Sequence, residues 1–475
     1  MQLGDLLGDL SEQDAGHSVT GFAVDSRKVM PGTIFGAFVG ATANGENFIP
    51  AAIEAGAIAV VARPDIVVNG AFHIADAEPR RRFAELAARF YRPLPAQIAA
   101  VTGTNGKTSV AELTRQLWNM AGHSAASIGT LGVTMNAESV STGLTTPDVV
   151  TFLSNLAGLA REGVSHVIFE ASSHGLDQYR IHGLPVHIAA FTSFSRDHLD
   201  YHGGMESYFA AKMRLFDEVL NGDGKAVIWA DDARSAEVAA HVRVRGAACH
   251  MVGQAGDLIR LAGRAPTQLG QTLTLEAGGQ VHEIALPLIG AYQAANALVA
   301  AGIVIAGGGG IARTLSDLAR LNPVRGRLER AAITRSGAVI YVDYAHTPDG
   351  LLAACQALRP HVTGRLIALI GAGGDRDRGK RPEMGRIAAQ MSDIVIVTDD
   401  NPRSEDPAVI RGEVLSGAPG AREIADRRSA IAAAIDLAQK GDIVLLAGKG
   451  HEQGQIVGDK VLPFDDVAVA RECAA

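Results

Sequence analysis

The chain has 475 residues, a length that suggests about three domains. Its composition is 47% hydrophobic and 20% charged, as in ordinary globular proteins, and its formal charge of -8 argues against nonspecific nucleic-acid binding. The three cysteines lie far apart, in neither a metal-binding nor a disulfide spacing. Because no apolar run approaches the roughly 18 residues of a membrane span and the N-terminus lacks signal-peptide features, we expect a cytoplasmic protein without a membrane span.

Two proline-containing stretches predict domain joints. "YRPLPAQ" (91–97) follows the predicted helix "RRRFAELAARFY", and "LNPVRGRLE" (321–329) again has proline and glycine after a helix. These joints predict three domains, residues 1–95, 96–323 and 324–475. We take the second joint as the candidate hinge.

Short apolar runs that alternate with helical stretches predict an α/β fold with buried parallel strands. The middle segment contains "QIAAVTG", "HVIFEAS", "HIAAFTS" and "KAVIWAD", and the last contains "AVIYVDY", "RLIALIGAG", "DIVIVTD" and "DIVLLAG". Ligands of open α/β sheets bind beyond the carboxyl ends of the strands. The polar patches after these runs are therefore the candidate sites.

The stretch "VTGTNGKTSVAELTRQLW" predicts a phosphate-binding loop. A strand ends, Gly103–Gly106 turns, and Lys107 and Thr108 open an amphipathic helix. Converging N–H groups and the helix N-terminus suit phosphate, Lys107 suits the β- and γ-phosphates, and Thr108 suits Mg²⁺. Val101 stands where the general motif has its first glycine, so an ordinary glycine-rich turn is the alternative.

A lysine interrupts the apolar stripe of the next informative helix, predicted from Met205. Phe209, Phe216 and Val219 continue the stripe at helical spacing, with Lys212 in its middle. A buried lysine tends to lose its proton, and neutral lysine reacts with carbon dioxide to give a carbamate, an oxygen ligand for Mg²⁺. The alternative is a lysine at the edge of the stripe that reaches out to water.

Two further residues are candidate metal ligands. His198 lies in "RDHLDYH" just before this helix, and Glu170 ends the strand "HVIFE". Both have a simpler interpretation as polar loop residues.

Short motifs that together match one known protein family follow one another along nearly the whole chain. They are "DSRKVMPGTIFGA", "GTNGKTS", "EASSHGLDQYR", "SRDHLDYHG", "AAKMRLF", "GRLE", "VDYAHTPDG", "GGDRDRGKRPEMG", "DNPRSE" and "AGKGHEQGQ". In this order they resemble the Mur ligase family, the ATP-dependent amino-acid ligases of peptidoglycan precursor synthesis. The resemblance implies a small N-terminal α/β domain for the uridine nucleotide, a central P-loop-type parallel-sheet domain for ATP, and a C-terminal Rossmann-like domain for the amino acid.

The resemblance also implies site residues, cofactors and partners. The ATP site would comprise Gly103, Thr104, Asn105, Gly106, Lys107, Thr108, Ser109, Asn296, Arg327, Asp343 and His346. The Mg²⁺ ligands would be Thr108, Glu170, His198 and Lys212 as its carbon dioxide carbamate, with Lys107, His198 and Lys212 catalytic. The UDP-muramoyl-dipeptide would contact Ser26, Thr145, Thr146, Ser172, Gln178 and Arg180. We expect a monomer that uses small-molecule substrates and binds no nucleic acid.

The loop "TDDNPRSEDP" (398–407) predicts which amino acid is the substrate. Pro402 stiffens the loop, the Arg403 fork suits a carboxylate, and Asp400 and Asn401 accept hydrogen bonds from an ammonium. Both charges occur on the distal end of meso-diaminopimelate, whereas lysine has only the ammonium there. The resemblance implies that the rest of this pocket is Arg376, Gly448 and Glu452. A helix-capping loop with Ser404 as N-cap is the alternative interpretation.

Three positions depart from the usual family pattern: Ser193 with Phe194, Trp229, and Gln293. They put individual contacts in doubt, but the Lys-Thr, histidine and Lys212 positions are intact, so we expect activity. The competing functions are a sister ligase, such as a folylpolyglutamate synthetase or a lysine-adding enzyme, a catalytically inactive nucleotide-binding regulator, and a generic P-loop kinase.

Overall fold

The computed structural model describes residues 1–8, 11–40, 43–136, 138–140, 143–268 and 270–475. The chain forms α/β units around parallel sheets, as the alternating apolar runs predict. All eight strands predicted for the middle and last segments are present. Among the described residues, no helix combines the length and apolar character needed to cross a bilayer.

The N-terminal unit is a four-stranded parallel sheet with helices against it. Its strands are β1 (Gly21–Ala23), β2 (Thr33–Gly36), β3 (Ala57–Ala62) and β4 (Phe72–Ala75), and its helices are α1 (Leu3–Leu7), α2 (Glu12–Ala15), α3 (Ile49–Glu54) and α4 (Pro79–Phe90). The strands pair in the order β1-β2-β3-β4. Helix α4 begins with proline at its first position, where no backbone N–H is needed. Phe83 and Leu86 of α4 are buried in an apolar cluster shared with the central unit, so the two units pack together.

The central unit is an eleven-stranded sheet. Its strands are β5 (Gln97–Thr102), β6 (Ala125–Gly129), β7 (Gly132–Met135), β8 (Glu138–Val140), β9 (His166–Glu170), β10 (Val186–Phe191), β11 (Leu220–Trp229), β12 (Ala248–Gly253), β13 (Ile259–Thr267), β14 (Gly270–Ala277) and β15 (Gln280–Leu286). Its helices are α5 (Lys107–Met120), α6 (Val149–Arg161), α7 (Ser173–Asp177), α8 (Leu199–His202), α9 (Met205–Arg214), α10 (Ser235–Val244), α11 (Ala291–Ala306) and α12 (Ile311–Asp317).

The strand order is β15-β14-β13-β12-β11-β10-β5-β9-β6-β7-β8. The stretch from β13 to β6 is parallel, and antiparallel hairpins extend both edges. Strand β5 lies in the middle with apolar clusters on both faces of the sheet. The loops after β5, β9 and β10 therefore meet at one edge, where ligands of such sheets bind.

The C-terminal unit is a six-stranded sheet with a small hairpin. Its elements are β16 (Glu329–Ile333), β17 (Val339–Asp343), α13 (Pro348–Leu358), β18 (Leu366–Ile370), α14 (Lys380–Met391), β19 (Ile394–Val397), α15 (Pro407–Gly417), β20 (Arg422–Glu423), α16 (Arg427–Leu437), β21 (Ile443–Ala447), β22 (Gly454–Val457), β23 (Lys460–Pro463) and α17 (Asp466–Ala474). The sheet order is β16-β17-β21-β18-β19-β20, parallel except at β16. The carboxyl ends of β18, β19 and β21 therefore bring the loops at 371–380, 398–406 and 448–453 together.

Candidate active site

The predicted phosphate loop connects β5 to α5. Gly103 and Gly106 have φ values of 143° and 89°, which favour glycine, and α5 begins at Lys107. A Cβ on Gly106 would meet the Asn296 side chain, so the loop lies directly against α11. The Lys107 ammonium donates to the Gly103 and Thr104 carbonyls, both at 2.9 Å, which holds it at the loop.

Thr108 and Glu170 meet where β5 and β9 end. The Thr108 hydroxyl donates to Glu170 Oε2 at 3.1 Å, and Glu170 Oε1 accepts from the Thr130 N–H at 2.7 Å. Arg327, from the second joint, donates to Thr108 Oγ1 at 2.9 Å. Its buried Nε has no partner among the described residues. A residue of the joint thus reaches the start of the phosphate-loop helix.

Lys212 is buried at 1% exposure, in the α9 stripe that also buries Phe209. Its ammonium donates to the Gly103 carbonyl at 2.7 Å and lies 4.3 Å from the Tyr208 ring centroid. Burial, and then the charge of Lys107, lower the pKa of Lys212 well below its ordinary value. The interpretation of a lysine reaching out to water is therefore wrong. The side chain projects into the base of the phosphate loop.

His198 lies close to Lys212, and its backbone is in the left-handed conformation, with φ 53°. Burial lowers its pKa to about 3, with a further contribution from the charges of Lys107 and Lys212, so its ring is neutral at pH 7. The neighbouring Asp197, which the sequence analysis missed, is buried with a carboxylate oxygen 3.4 Å from His198 Nε2. Among the described residues, no three His, Cys, Asp or Glu side chains form a ready-made metal cluster. The expected metal ligands include only two such residues.

The predicted substrate residues of the central unit form one hydrogen-bonded group. Thr146 Oγ1 donates to the Glu170 carbonyl at 2.8 Å and lies 2.9 Å from Ser172 Oγ. The Arg180 guanidinium donates to the Thr146 carbonyl at 2.7 Å and to Gln178 Oε1 at 2.8 Å.

Thr145 contacts the same group through Thr130, with 3.1 Å between the two hydroxyls. Ser26 lies apart, in the short helical turn 26–28 of the N-terminal unit, and no hydrogen bond among the described residues joins it to the group.

A cavity of about 370 Å³ opens beside the phosphate loop. The predicted nucleotide residues that line it are Asn105, Gly106, Thr108, Ser109, Asn296, Arg327 and Asp343. Asp343 Oδ2 accepts from the Leu328 N–H at 2.7 Å and from the Tyr292 hydroxyl at 3.2 Å. Burial raises the pKa of Asp343 to about 6. The volume and lining are those of a small-molecule site.

His346, expected at the nucleotide, is not part of this lining. Its Nδ1 lies 2.8 Å from the Tyr344 carbonyl oxygen, and burial together with the Lys380 charge lowers its pKa to about 4. Lys380, at the start of α14, is itself buried, and the opposite charge acting on it most strongly is that of Asp197. The charge of Asp197 in the central unit thus acts on Lys380 in the C-terminal unit.

The three departures from the family pattern each have a structural role. The Ser193 hydroxyl accepts from the Asn105 N–H at 3.2 Å, and the Phe194 ring packs on Tyr208. Gln293 accepts from Asn296 at 3.2 Å and donates to the Arg327 carbonyl at 3.1 Å, so it links α11 to the second joint. Trp229 lines the cavity beside the phosphate loop.

The C-terminal loops form a pocket around Arg403. This residue has φ 52°, and its Nη1 donates to the Gly374 carbonyl at 2.8 Å. Among the described residues, no carboxylate lies within ion-pairing distance of Arg403, which is half-buried. Burial, and then the nearby charge of Arg376, lower its pKa from the ordinary value. The charges of Glu452 and Asp400 act in the opposite direction, so this pocket presents both signs of charge.

The opposite side of this pocket is held by a lysine that the sequence analysis also missed. Lys449 is fully buried, and its ammonium donates to Asn401 Oδ1 at 2.9 Å and to the Gly454 carbonyl at 2.8 Å. It lies 3.4 Å from Glu452 and 3.7 Å from Asp400. The Asn401 amide in turn donates to Glu452 at 2.7 Å.

Pro402 and Gly448 hold the loops close together. A Cβ on Gly374 would clash with the Pro402 carbonyl, and one on Gly448 would clash with Asp400. The prediction that Ser404 caps the next helix is wrong: Asp406 is the N-cap of α15. Ser404 donates to Asp375 at 2.7 Å instead, because that acid crosses from the neighbouring loop.

One ion pair joins the central unit to this loop region. Arg196 donates to both carboxylate oxygens of Asp377, at 3.0 and 3.2 Å. A second cavity, of about 1030 Å³, separates the two units and is lined by Asn401, Glu452 and Thr130 among others. The cleft between the two units is therefore lined on one side by α5, the helix that follows the phosphate loop, and on the other by Asn401 and Glu452 of the C-terminal loops.

Comparison with known proteins identifies the family. Residues 101–304 match the Mur ligase middle domain, and residues 326–450 match the Mur ligase glutamate ligase domain. The UDP-N-acetylmuramoyl-L-alanyl-D-glutamate–2,6-diaminopimelate ligase of Zymomonas mobilis is 62% identical over 467 residues, which cover 98% of this chain and 96% of that one.

Solved structures agree with these sequence matches. A UDP-N-acetylmuramoyl-L-alanyl-D-glutamate–2,6-diaminopimelate ligase superposes with a TM-score of 0.73 at 33% identity, over 100% of this chain and 98% of the other. The MurF ligase of Thermotoga maritima in complex with ADP shares the fold, with a TM-score of 0.63 at 18% identity over 91% and 94% of the two chains. The chain belongs to the Mur ligase family.

Proposed function

We propose that this chain is an ATP-dependent ligase that adds meso-diaminopimelate to the D-glutamate γ-carboxylate of UDP-N-acetylmuramoyl-L-Ala-D-Glu, in cytoplasmic peptidoglycan precursor synthesis. Relatives that carry the name of this activity support it over nearly the full length. The observation that carries the choice of amino acid is Arg403, a half-buried guanidinium without a carboxylate partner among the described residues. A buried cation of this kind favours a ligand that brings its own acid group.

The reaction has two steps. A γ-carboxylate oxygen attacks the γ-phosphorus of ATP, the bond to the bridging oxygen breaks, and ADP leaves. The amine of diaminopimelate then attacks the acyl carbon, gives up a proton, and expels phosphate together with one original carboxylate oxygen. Lys107 and the N-terminus of α5 stabilise the charge on the transferring phosphoryl group.

The chain offers a fitting set of oxygen and nitrogen ligands for Mg²⁺. Thr108 and Glu170 are already hydrogen-bonded to each other, and His198 is neutral at pH 7. Together with a carbamate on Lys212 they would hold the ion, which when bound offsets the negative charge of the phosphates. Arg327 donates to the same Thr108 hydroxyl and so links the second joint to this site.

The carbamate is supported by the burial of Lys212. Because burial lowers its pKa, the neutral, nucleophilic form of the amine is favoured over the ammonium. Its nitrogen attacks the carbon of carbon dioxide, an N–C bond forms, and a proton is released. The product is an anion in place of the amine, and the charge of Lys107 stabilises it.

The pocket for diaminopimelate requires one change to the assignment from sequence. Asn401 Oδ1 already accepts from the Lys449 ammonium and from the Ile456 N–H, so both of its lone pairs are used and it cannot accept from the substrate ammonium. Asp400 is almost completely buried. We therefore assign the distal ammonium to Glu452 and the distal carboxylate to Arg403 and Arg376, with Asn401 fixing the position of Glu452.

The remaining assignments are part of the same proposal. Residues 1–95 would bind the uridine nucleotide through Ser26, residues 96–323 would bind ATP and the muramoyl-dipeptide, and residues 324–475 would deliver the amino acid. Closure of the third unit around the joint at 322–326 would exclude water from the acyl phosphate. The protein would act as a monomer on small molecules, without nucleic acid.

An isotope experiment tests the reaction. The nucleotide substrate is labelled with ¹⁸O in the D-glutamate γ-carboxylate and incubated with ATP, Mg²⁺ and meso-diaminopimelate. We expect the tripeptide product by mass spectrometry and one ¹⁸O atom in the released phosphate. Product without label in the phosphate would contradict the acyl phosphate, and no product would contradict the ligase itself.

A further inference from the structure

Trp229 occupies a position that the catalytic account leaves unused. It ends β11, packs against the apolar cluster that contains Val252 and Val299, and also lines the cavity beside the phosphate loop. Its side chain is half-buried, so one part of the indole is fixed by protein and another part borders open space. A large, rigid aromatic surface held in this way is suited to stacking.

The distance between the end of β11, where Trp229 lies, and the phosphate loop matches the size of a nucleoside. Strand β10 lies between β5 and β11, so the end of β11 is two strand spacings, about 10 Å, from the strand that leads into the phosphate loop. Gly106 and Trp229 both line the cavity. A nucleotide whose phosphates lie at the loop would bring its base to Trp229.

The lining combines polar and apolar side chains. Asn105 and Thr108 belong to the phosphate loop and its helix, and Ala295 and Val299 of α11 add apolar surface to that of Trp229. Such apolar side chains exclude water from the faces of a flat ring. Asp231 is at the rim, but its carboxylate already accepts from the Gln254 and Ala255 N–H groups, which leaves the aromatic face as the main contact.

We infer that Trp229 is the stacking surface for the purine base of the nucleotide and sets much of its affinity. The inference rests on the proposed use of ATP. Base–aromatic stacking predicts that Trp229→Ala raises the Kd for ADP roughly 5- to 150-fold. Trp229→Phe keeps an aromatic face and should keep the Kd within about 5-fold.

Intrinsic fluorescence gives a direct readout because the chain has two tryptophans. Trp118 is buried near the end of α5, about 16 Å along the helix from Lys107, and serves as the matched control. In Trp118→Phe, we expect ADP with Mg²⁺ to quench the fluorescence. In Trp229→Phe, we expect no quench, although calorimetry still detects ADP binding.

The outcomes separate this inference from the proposed function. If wild type binds no ADP in calorimetry, the proposed function fails. If wild type binds ADP but Trp118→Phe shows no quench and Trp229→Ala keeps the wild-type Kd, the stacking surface is wrong while the ligase stands. Inorganic tripolyphosphate, which has no base, should bind wild type and Trp229→Ala equally. If Trp229→Ala fails to fold, unchanged fluorescence of Trp118→Phe on saturation with ADP still overturns the inference.

Discussion

Replacing the buried Lys449 tests how the specificity pocket is held. Its ammonium donates to Asn401 and Gly454 and lies between the carboxylates of Glu452 and Asp400, at 3.4 and 3.7 Å. Lys449→Met keeps the volume but leaves the buried Asp400 and the partly buried Glu452 without their cation. Removing one partner of a buried ion pair costs roughly 3–5 kcal/mol. For a unit of about 150 residues, this lowers Tm by roughly 6–20 °C.

The same change should impair amino-acid binding selectively. Without Lys449 the Asn401 Oδ1 keeps only the Ile456 N–H as a donor, and Glu452, whose pKa burial already raises, takes up a proton and loses its attraction for an ammonium. We expect the KM for meso-diaminopimelate to rise at least about 10-fold, while the Kd for ADP stays the same. The assays are thermal unfolding, steady-state phosphate release and calorimetry. Lys440→Met, at an exposed lysine of the same unit, is the control. Equal Tm and equal KM in the two variants would refute the reasoning.

Three further predictions concern the cleft. Lys212→Ala should lower kcat at least about 100-fold, and a short carboxylic acid should restore part of it in a phosphate-release assay, whereas full activity without additive would exclude the carbamate. Arg196→Ala and Asp377→Ala should each lower kcat/KM about 2- to 5-fold, and the double variant should lose no more than either, because the two form one ion pair; additive losses would show that they act separately. Burial raises the pKa of Asp343 to about 6 in the folded state. Between about pH 6 and pH 4 the folded state therefore carries this proton while the unfolded state does not, so the free energy of unfolding increases as the pH falls through this range. Asp343→Asn should therefore be more stable than wild type at pH 7.5 in thermal unfolding, with a gap that narrows toward pH 5; a gap independent of pH would contradict the assignment.

Local sequence patterns predicted the elements and the phosphate loop well. The strands before each polar patch, the glycine turn before Lys107 and the apolar stripe around Lys212 all depend on neighbours within a few residues, and such patterns are visible in the chain. The stripe itself could not distinguish a buried lysine from one that reaches water. That question depends on what packs over α9, and Tyr208 and the Gly103 carbonyl settle it.

Contacts between distant segments could not be predicted from local patterns. Asp197 and Lys380 belong to different units and their charges act on each other, and nothing in the sequence around either residue indicates the other. Lys449 lies in the glycine-rich stretch "AGKGHE", yet it is fully buried beside Asp400 of another loop. Ser404 was given to the wrong partner because the competing acceptor, Asp375, comes from a neighbouring strand end.

The selectivity between two amines tests the central claim most directly. The measurement is kcat/KM for meso-diaminopimelate and for L-lysine, with saturating ATP and UDP-N-acetylmuramoyl-L-Ala-D-Glu. Because lysine leaves the Arg403 guanidinium without an acid partner, we predict a preference for diaminopimelate of about 10⁴-fold, which falls sharply in Arg403→Met. Equal values for the two amines in wild type would contradict the account.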